Sequence, residues 1–335
     1  MGFLLSVPRA PATEEPQVTT TLFDIAADLD TPVSAYLKLK PFRPRFLLES
    51  VEGGERLARY SFIGFGDCME YRLDASGLTV NGVSEPRPAD QAQLLASLRQ
   101  ALARSPRPDV TQAGFPLLGG LVGAASYDLV RYFERLPSRA RVEGDVPDAH
   151  YVAPRSVLAF DHLTRRAALL HAGPEQERLA LRRAVIQALR GGLPGPVRAT
   201  KFGSATASLS EESFLQNVAR TKEYIASGDV YQLVLSVCFA GRCDMDPFEA
   251  YRALRLLNPS PYMYFCELGD RVIVGSSPEA LVKLEGGVAH LRPIAGTLPR
   301  GADAVQELAN EARLLADPKE TAEHVMLVDL ARNDL

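Results

Sequence analysis

Strand-like runs in this chain follow one another through tight turns instead of alternating with helices, and that order removes most architectures. After the helical pattern of residues 247–257, the runs 271–274, 280–285 and 288–292 are separated only by short breaks, and Gly286-Gly287 joins the last two as a hairpin. Parallel neighbours would need a crossover of a dozen or more residues. The succession therefore predicts antiparallel sheet in an α+β fold rather than a doubly wound parallel one.

The earlier part is also mixed. Short β-rich runs at 59–65, 78–80 and 119–125 are separated by turns, with a helix predicted over 90–103 and another over 175–190. Residues 191–208, GGLPGPVRATKFGSATAS, lack sustained periodicity and read as a linker between an N-terminal region, 1–190, and a second region, 209–335. In the second region Ser210 caps a helix whose Phe214, Val218, Thr221 and Ile225 recur at helical spacing until Gly228 stops it. Residues 230–239 have strand composition.

A chain of 335 residues that is 46% hydrophobic can bury more than one core. Its formal charge of −4 offers no basic field, so nucleic acid and acidic membrane surfaces are not expected partners. Met1-Gly-Phe-Leu-Leu-Ser6 fits a loose myristoylation pattern, but no basic flank or second signal accompanies it, and a cytoplasmic location is expected. Cys68, Cys238, Cys243 and Cys266 have no metal-ligand spacing and are expected to be buried thiols.

Three segments carry candidate chemistry. Asp317-Pro-Lys-Glu320 is a helix start, with Asp317 as cap, Pro318 at the first position and Glu320 as capping-box partner. Glu320, Glu323 or His324, and Leu327 share one face of that helix, which is expected to be mostly buried. A carboxylate such as Glu323 among Val-Met-Leu-Val needs a cation or a polar ligand, or else a solvated helix edge. Glu279, in Gly275-Ser-Ser-Pro-Glu279, sits on a stiff turn after a strand, where a carboxylic acid can act as general acid or simply be exposed. Pro293-Ile-Ala-Gly296-Thr297-Leu-Pro-Arg300-Gly301 is a loop whose backbone N–H groups and hydroxyl can approach an anion, with Arg300 as a carboxylate fork. Its spacing matches no nucleotide-binding loop.

Together with Leu47-Leu48-Glu49-Ser50, Arg59-Tyr-Ser-Phe-Ile-Gly64, Gly119-Gly-Leu-Val-Gly123, Gly228-Asp-Val-Tyr-Gln232 and Asn258-Pro-Ser-Pro261-Tyr262-Met263, these segments resemble the chorismate-utilising enzymes, and among them the anthranilate synthase component I family. The resemblance implies antiparallel sheets packed as a sandwich with helices on the outer faces. It implies a lyase of tryptophan biosynthesis that takes chorismate, ammonia from a glutamine amidotransferase subunit (component II), and magnesium. Glu323 would be a magnesium ligand, Glu279 the general acid, and Gly296 and Thr297 chorismate contacts. Gln232 stands where isochorismate and salicylate synthases need a lysine base, and Ala295 where aminodeoxychorismate synthases carry a nucleophilic lysine. An aminodeoxychorismate synthase-like enzyme is therefore the lesser reading. Glu49, Ser50, Pro261, Tyr262 and Met263 resemble the tryptophan-feedback site of the family.

Family sequences run on past Arg332-Asn-Asp-Leu335 into parts that supply a catalytic histidine, a second magnesium glutamate and further chorismate contacts. The resemblance thus carries a second expectation: a truncated, non-catalytic fragment with an incomplete catalytic half, binding at most tryptophan.

Overall fold

The computed structural model describes residues 23–51, 59–108, 117–137, 146–195 and 200–335. Residues 1–6 and part of the 191–208 segment lie outside these. Two long strands, β3 (Tyr60–Asp74) and β7 (Ala149–Asp161), organise the described chain and pair antiparallel from Tyr60↔Asp161 to Leu73↔Ala149. Their register shifts between Phe65 and Cys68, where Gly66 adopts a φ of 86° that only glycine takes without cost. Such a bulge bends the strand. Gly64 beside it has no room for a side chain, since a Cβ there would lie 2.3 Å from the Phe46 ring and 2.7 Å from Pro154.

Around this pair the sheet runs β1 (Ile25–Ala26), β8 (Arg166–His171), β7, β3, β2 (Pro44–Glu49), β11 (Tyr262–Leu268) and β12 (Arg271–Ser277). The strands β4 (Gly77–Val80) and β5 (Val83–Glu85) extend it from β3, and β6 (Val122–Ala125) pairs with β7. Every ladder is antiparallel. The bend swings the far half of β3 over to the β11–β12 turn, where Arg72 reaches Asp270 at 3.2 Å and Arg45 reaches Glu70 at 3.1 Å. Phe46, Val152, Val157, Leu170, Cys266 and Leu268, drawn from both sides of the bend, share one buried layer. The sheet folds onto itself.

Helices cover its outer faces. The helices α1 (Pro32–Lys38), α3 (Glu175–Leu189) and α5 (Pro247–Leu257) bring Tyr36, Val185, Leu189, Phe248 and Tyr251 against Leu47, Ile63, Leu158, Phe160 and Phe265. Tyr36 and Phe248 stack at 4.2 Å between ring centroids, with Phe265 edge-on to both. The helix α2 (Gln91–Arg104), capped by Asp90, lays Leu94 and Ala101 over β3 and β4.

The segment 191–208 divides the sequence, but the sheet crosses it. Strands β11 and β12 lie beyond that segment, yet β11 pairs with β2, placing Met263 opposite Glu49 and Cys266 opposite Phe46. The later part of the segment pairs too: β9 (Thr206–Ala207) runs against β10 (Phe239–Ala240), and the Gly203 N–H donates to Arg242 O at 2.8 Å.

Several expectations need correction in the second region. Residues 230–238 join no ladder; at their end Cys238 O accepts the Ser208 N–H at 2.7 Å, next to the β9–β10 pair. The Gly286-Gly287 hairpin forms, but its strands β13 (Lys283–Glu285) and β14 (Val288–His290) are short and exposed. The helix α4 (Glu211–Ser227) has its Ser210 cap and Gly228 stop, yet none of its residues is buried. The helix α6 (Ala304–Ala316) is likewise unburied, and α7 (Pro318–Asp334) buries only Ala331, so the expected mostly buried helix is overturned. Val325, Val328 and Leu330 face outward because nothing described packs over them. Cys266 is buried, but Cys238 and Cys243 are exposed, contrary to expectation.

Candidate functional site

The end of β2 forms the better buried of two candidate sites. Glu49 is 4% exposed, and burying a carboxylate demands partners. It has two, through three contacts: the Tyr251 hydroxyl donates to its Oε2, as does Arg255 Nε at 3.1 Å, while Arg255 Nη2 reaches Oε1 at 3.4 Å. Burial first, and then the Glu49 charge, push the Tyr251 hydroxyl up, so it remains a donor. Both partners come from α5, whose start is fixed by Asp246 accepting the Phe248 N–H and by Pro247 in the first turn.

Antiparallel pairing brings the rest of this corner together. Met263 stands opposite Glu49, and the Val51 N–H donates to Ser260 O at 3.1 Å, which ties the 258–261 loop to the strand end. Ser50 Oγ is buried with no hydrogen-bond partner among the described residues. Tyr262 is 41% exposed and Met263 is buried. The corner thus offers an unfilled hydroxyl, an aromatic ring and a thioether beside a charged pair. Sequence reasoning missed Tyr251 and Arg255, because nothing local marks a tyrosine and an arginine about two hundred positions away as partners of Glu49.

The second candidate is the loop of residues 293–301 with α7. Asp317 caps α7 by accepting the Lys319 and Glu320 N–H groups. The capping box does not close, however: Glu320 pairs with Lys319 Nζ at 3.2 Å instead. Its carboxylate also lies against Gly296, where a Cβ would come within 3.0 Å of Glu320 Oε2. Glu320 and Glu323 are half-buried on one side of α7, whereas His324 is exposed. Ala295 and Gly296 are half-buried, Thr297 is exposed, and Arg300 is held by Glu307 of α6 rather than left as an open fork. Sequence reasoning saw Glu320 on the right face and assigned it to the wrong partner.

Glu279 follows β12 in an exposed turn whose backbone is pinned by Ser277: Ser277 Oγ donates to Glu279 O at 2.9 Å, and the Glu279 N–H lies 3.4 Å from Ser277 Oγ. Gln232 is exposed in the unpaired stretch before β10. Among the described residues no group of three or more His, Cys, Asp or Glu side chains is arranged to hold a metal. Two carboxylates are half-buried at this site, Glu320 against Gly296 and Glu323 further along α7, and magnesium is commonly held by one or two protein carboxylates with water and substrate completing its shell. No helix of the described residues is long and apolar enough to cross a membrane.

The family model for chorismate binding enzymes matches residues 43–335. The chain belongs to this family. Within it, the chain is similar to anthranilate synthase component 1 of Thermus thermophilus, 44% identical over 317 residues that cover 92% of this chain and 66% of the relative. The component 1 of Pseudomonas aeruginosa is 40% identical over 330 residues that cover 93% of this chain and again 66% of the relative. The crystal structure of anthranilate synthase component I from Streptococcus pneumoniae superposes with a TM-score of 0.70 at 27% identity, covering 92% of this chain and 67% of that one. The chain spans about two thirds of the length of the curated relatives it matches.

Proposed function

We propose that this chorismate-binding chain performs the component 1 reaction of anthranilate synthase: ammonia replaces the ring hydroxyl of chorismate, and loss of pyruvate then leaves anthranilate. The similarity to anthranilate synthase component 1 across more than nine tenths of the chain carries this reading. The Gly296 N–H and Thr297 hydroxyl bind and orient a substrate carboxylate. Glu279 donates a proton to the departing hydroxyl, which leaves as water, while the ammonia nitrogen forms the new ring bond. Gln232 presents an amide that cannot deprotonate water, and Ala295 presents no nucleophile, which disfavours hydroxylation and covalent ring attack. Magnesium bound at Glu323, with Glu320 beside it, would offset the charge of a chorismate carboxylate. Ammonia comes from a partner glutaminase, the component II of the family, and the reaction belongs in the cytoplasm.

The Glu49 corner is the tryptophan-feedback site in this reading. Ser50 Oγ lacks a partner and suits a ligand carboxylate or ammonium, while Tyr262 and Met263 suit an indole. Incubating the chain with chorismate, ammonium and magnesium tests the reaction by anthranilate fluorescence, and isochorismate or aminodeoxychorismate as product would replace this reading by another of the same family. Glu323→Gln should weaken the magnesium dependence.

A second reading is favoured by the exposed apolar residues of α4, α6 and α7: this 335-residue chain binds tryptophan without turnover. It predicts heat on tryptophan titration, no anthranilate, and about tenfold weaker binding in Ser50→Ala, the loss of one hydrogen bond to a charged ligand.

A further inference from the structure

The Glu49 corner and the Glu279 turn meet in one short segment. Residues 258–263 border the Glu49 corner on one side through the Val51 N–H to Ser260 O bond and the Met263↔Glu49 pair. On the other side the same residues adjoin the end of β12: Met263 pairs with Ser276, Tyr262 pairs with Ser277, and Ser276 Oγ donates to Asn258 O at 2.7 Å. Ser277 then holds the backbone of Glu279 through its hydroxyl. Asn258 is also the cap of α5, the helix that carries Tyr251 and Arg255 to Glu49.

A ligand that orders the corner must therefore order the strand start at Pro261 to Met263, and that strand start is the hydrogen-bonded neighbour of the Glu279 turn. We propose that Ser276 is a positioning residue that couples amino-acid binding at the Glu49–Ser50 corner to the geometry of the Glu279 turn. The proposal rests on the roles given above to that corner and to Glu279. The Ser276 hydroxyl ties the C-terminal end of α5 to β12, so occupancy that tightens the 258–263 segment holds Ser277 and the Glu279 backbone in one arrangement. Glu279 is exposed, and among the described residues its turn is held by the bonds just named, so it belongs to the part of the structure that a small free energy can order or release.

The test is hydrogen exchange of the full 335-residue chain, with and without L-tryptophan, read on peptides spanning residues 275–281, alongside calorimetry of the same titration. In the unaltered chain tryptophan should slow exchange of the Glu279 amide by about fivefold or more, the lower range of allosteric coupling factors. Ser276→Ala should bind tryptophan within about threefold of the unaltered affinity, since the Ser276 hydroxyl bonds Asn258 O and not the Glu49–Ser50 corner, and should lose the slowing. Ser276→Thr, which keeps the hydroxyl, should restore it. Binding with unchanged exchange at 275–281 overturns the coupling and leaves the effector site standing, whereas absence of heat from a folded sample overturns both. Equal slowing in Ser276→Ala overturns the role given to its hydroxyl.

Discussion

At the scale of single residues, the bend in β3 leaves Gly64 no room for a side chain. Its missing Cβ is where the Phe46 ring and Pro154 meet, so an added methyl must displace an aromatic side chain that is only 1% exposed. Gly64→Ala should cost about 3 kcal/mol in urea unfolding, at the upper end of overpacking penalties. Gly192→Ala, with nothing within 4 Å, should stay within about 0.5 kcal/mol and serves as the control. Asp74 sets an acid limit. The Arg72 guanidinium foremost, then the Ser76 hydroxyl, lowers its carboxyl to about 2, and the residue is 8% exposed. A depressed folded value means its contribution is complete above the unfolded carboxylate range, near 4, and is lost as pH falls from there through about 2. Unfolding free energy should drop by about 2 kcal/mol across that window from this group alone, and Asp74→Asn should flatten that part of the profile.

At the scale of elements, what was legible in the sequence were the features that a segment settles by itself. Ser210 and Asp317 each accept N–H groups at the helix starts they mark, and Gly228 takes the left-handed conformation that ends its helix. A cap is a local bond between residues two or three apart. Strand pairing is not local: residues 230–238 have the branched and aromatic composition of a strand, but composition names no partner, and here they join no ladder. The same limit hid Tyr251 and Arg255 behind Glu49, and it sent Glu320 to its own cap instead of to Gly296. A stretch of strand-like composition outside any ladder, with Tyr231 and Val234 exposed, can pair with another chain. Val234→Lys should reduce light scattering on concentration or warming while leaving the urea midpoint unchanged, because the side chain is 83% exposed and touches no core. An altered midpoint would mean that Val234 supports the fold.

For the whole molecule, the decisive fact is that one sheet takes strands from both sides of the 191–208 segment. A protease site placed at residues 192–195, where the described chain is exposed, should yield two pieces that still elute together. The β2–β11 ladder, the Tyr36 to Glu267 bond of 2.7 Å and the stacked Tyr36–Phe248 rings hold them. Separation without denaturant would contradict the shared sheet. Exposure, by contrast, is uneven. Large apolar side chains of α4, α6 and α7 stand open, Leu215, Leu308, Leu315 and Val325 each at more than half of their full exposure, while the bent sheet is closed around its core. A dye that fluoresces on apolar surface should bind the native chain at neutral pH, where a fully covered protein of this size binds little.

The shared sheet also fixes an order of events during synthesis. Tyr36 emerges from the ribosome early, but the glutamate that takes its hydroxyl lies 231 positions later, and Phe248 and Phe265 arrive only shortly before it. At roughly 5–20 residues per second, the nascent first half waits on the order of ten seconds or more with that core face uncovered. During that interval its apolar β-strands are the ones a holdase would meet. Conditions that slow translation between residues 190 and 262 should therefore increase the fraction of nascent chain that a chaperone captures.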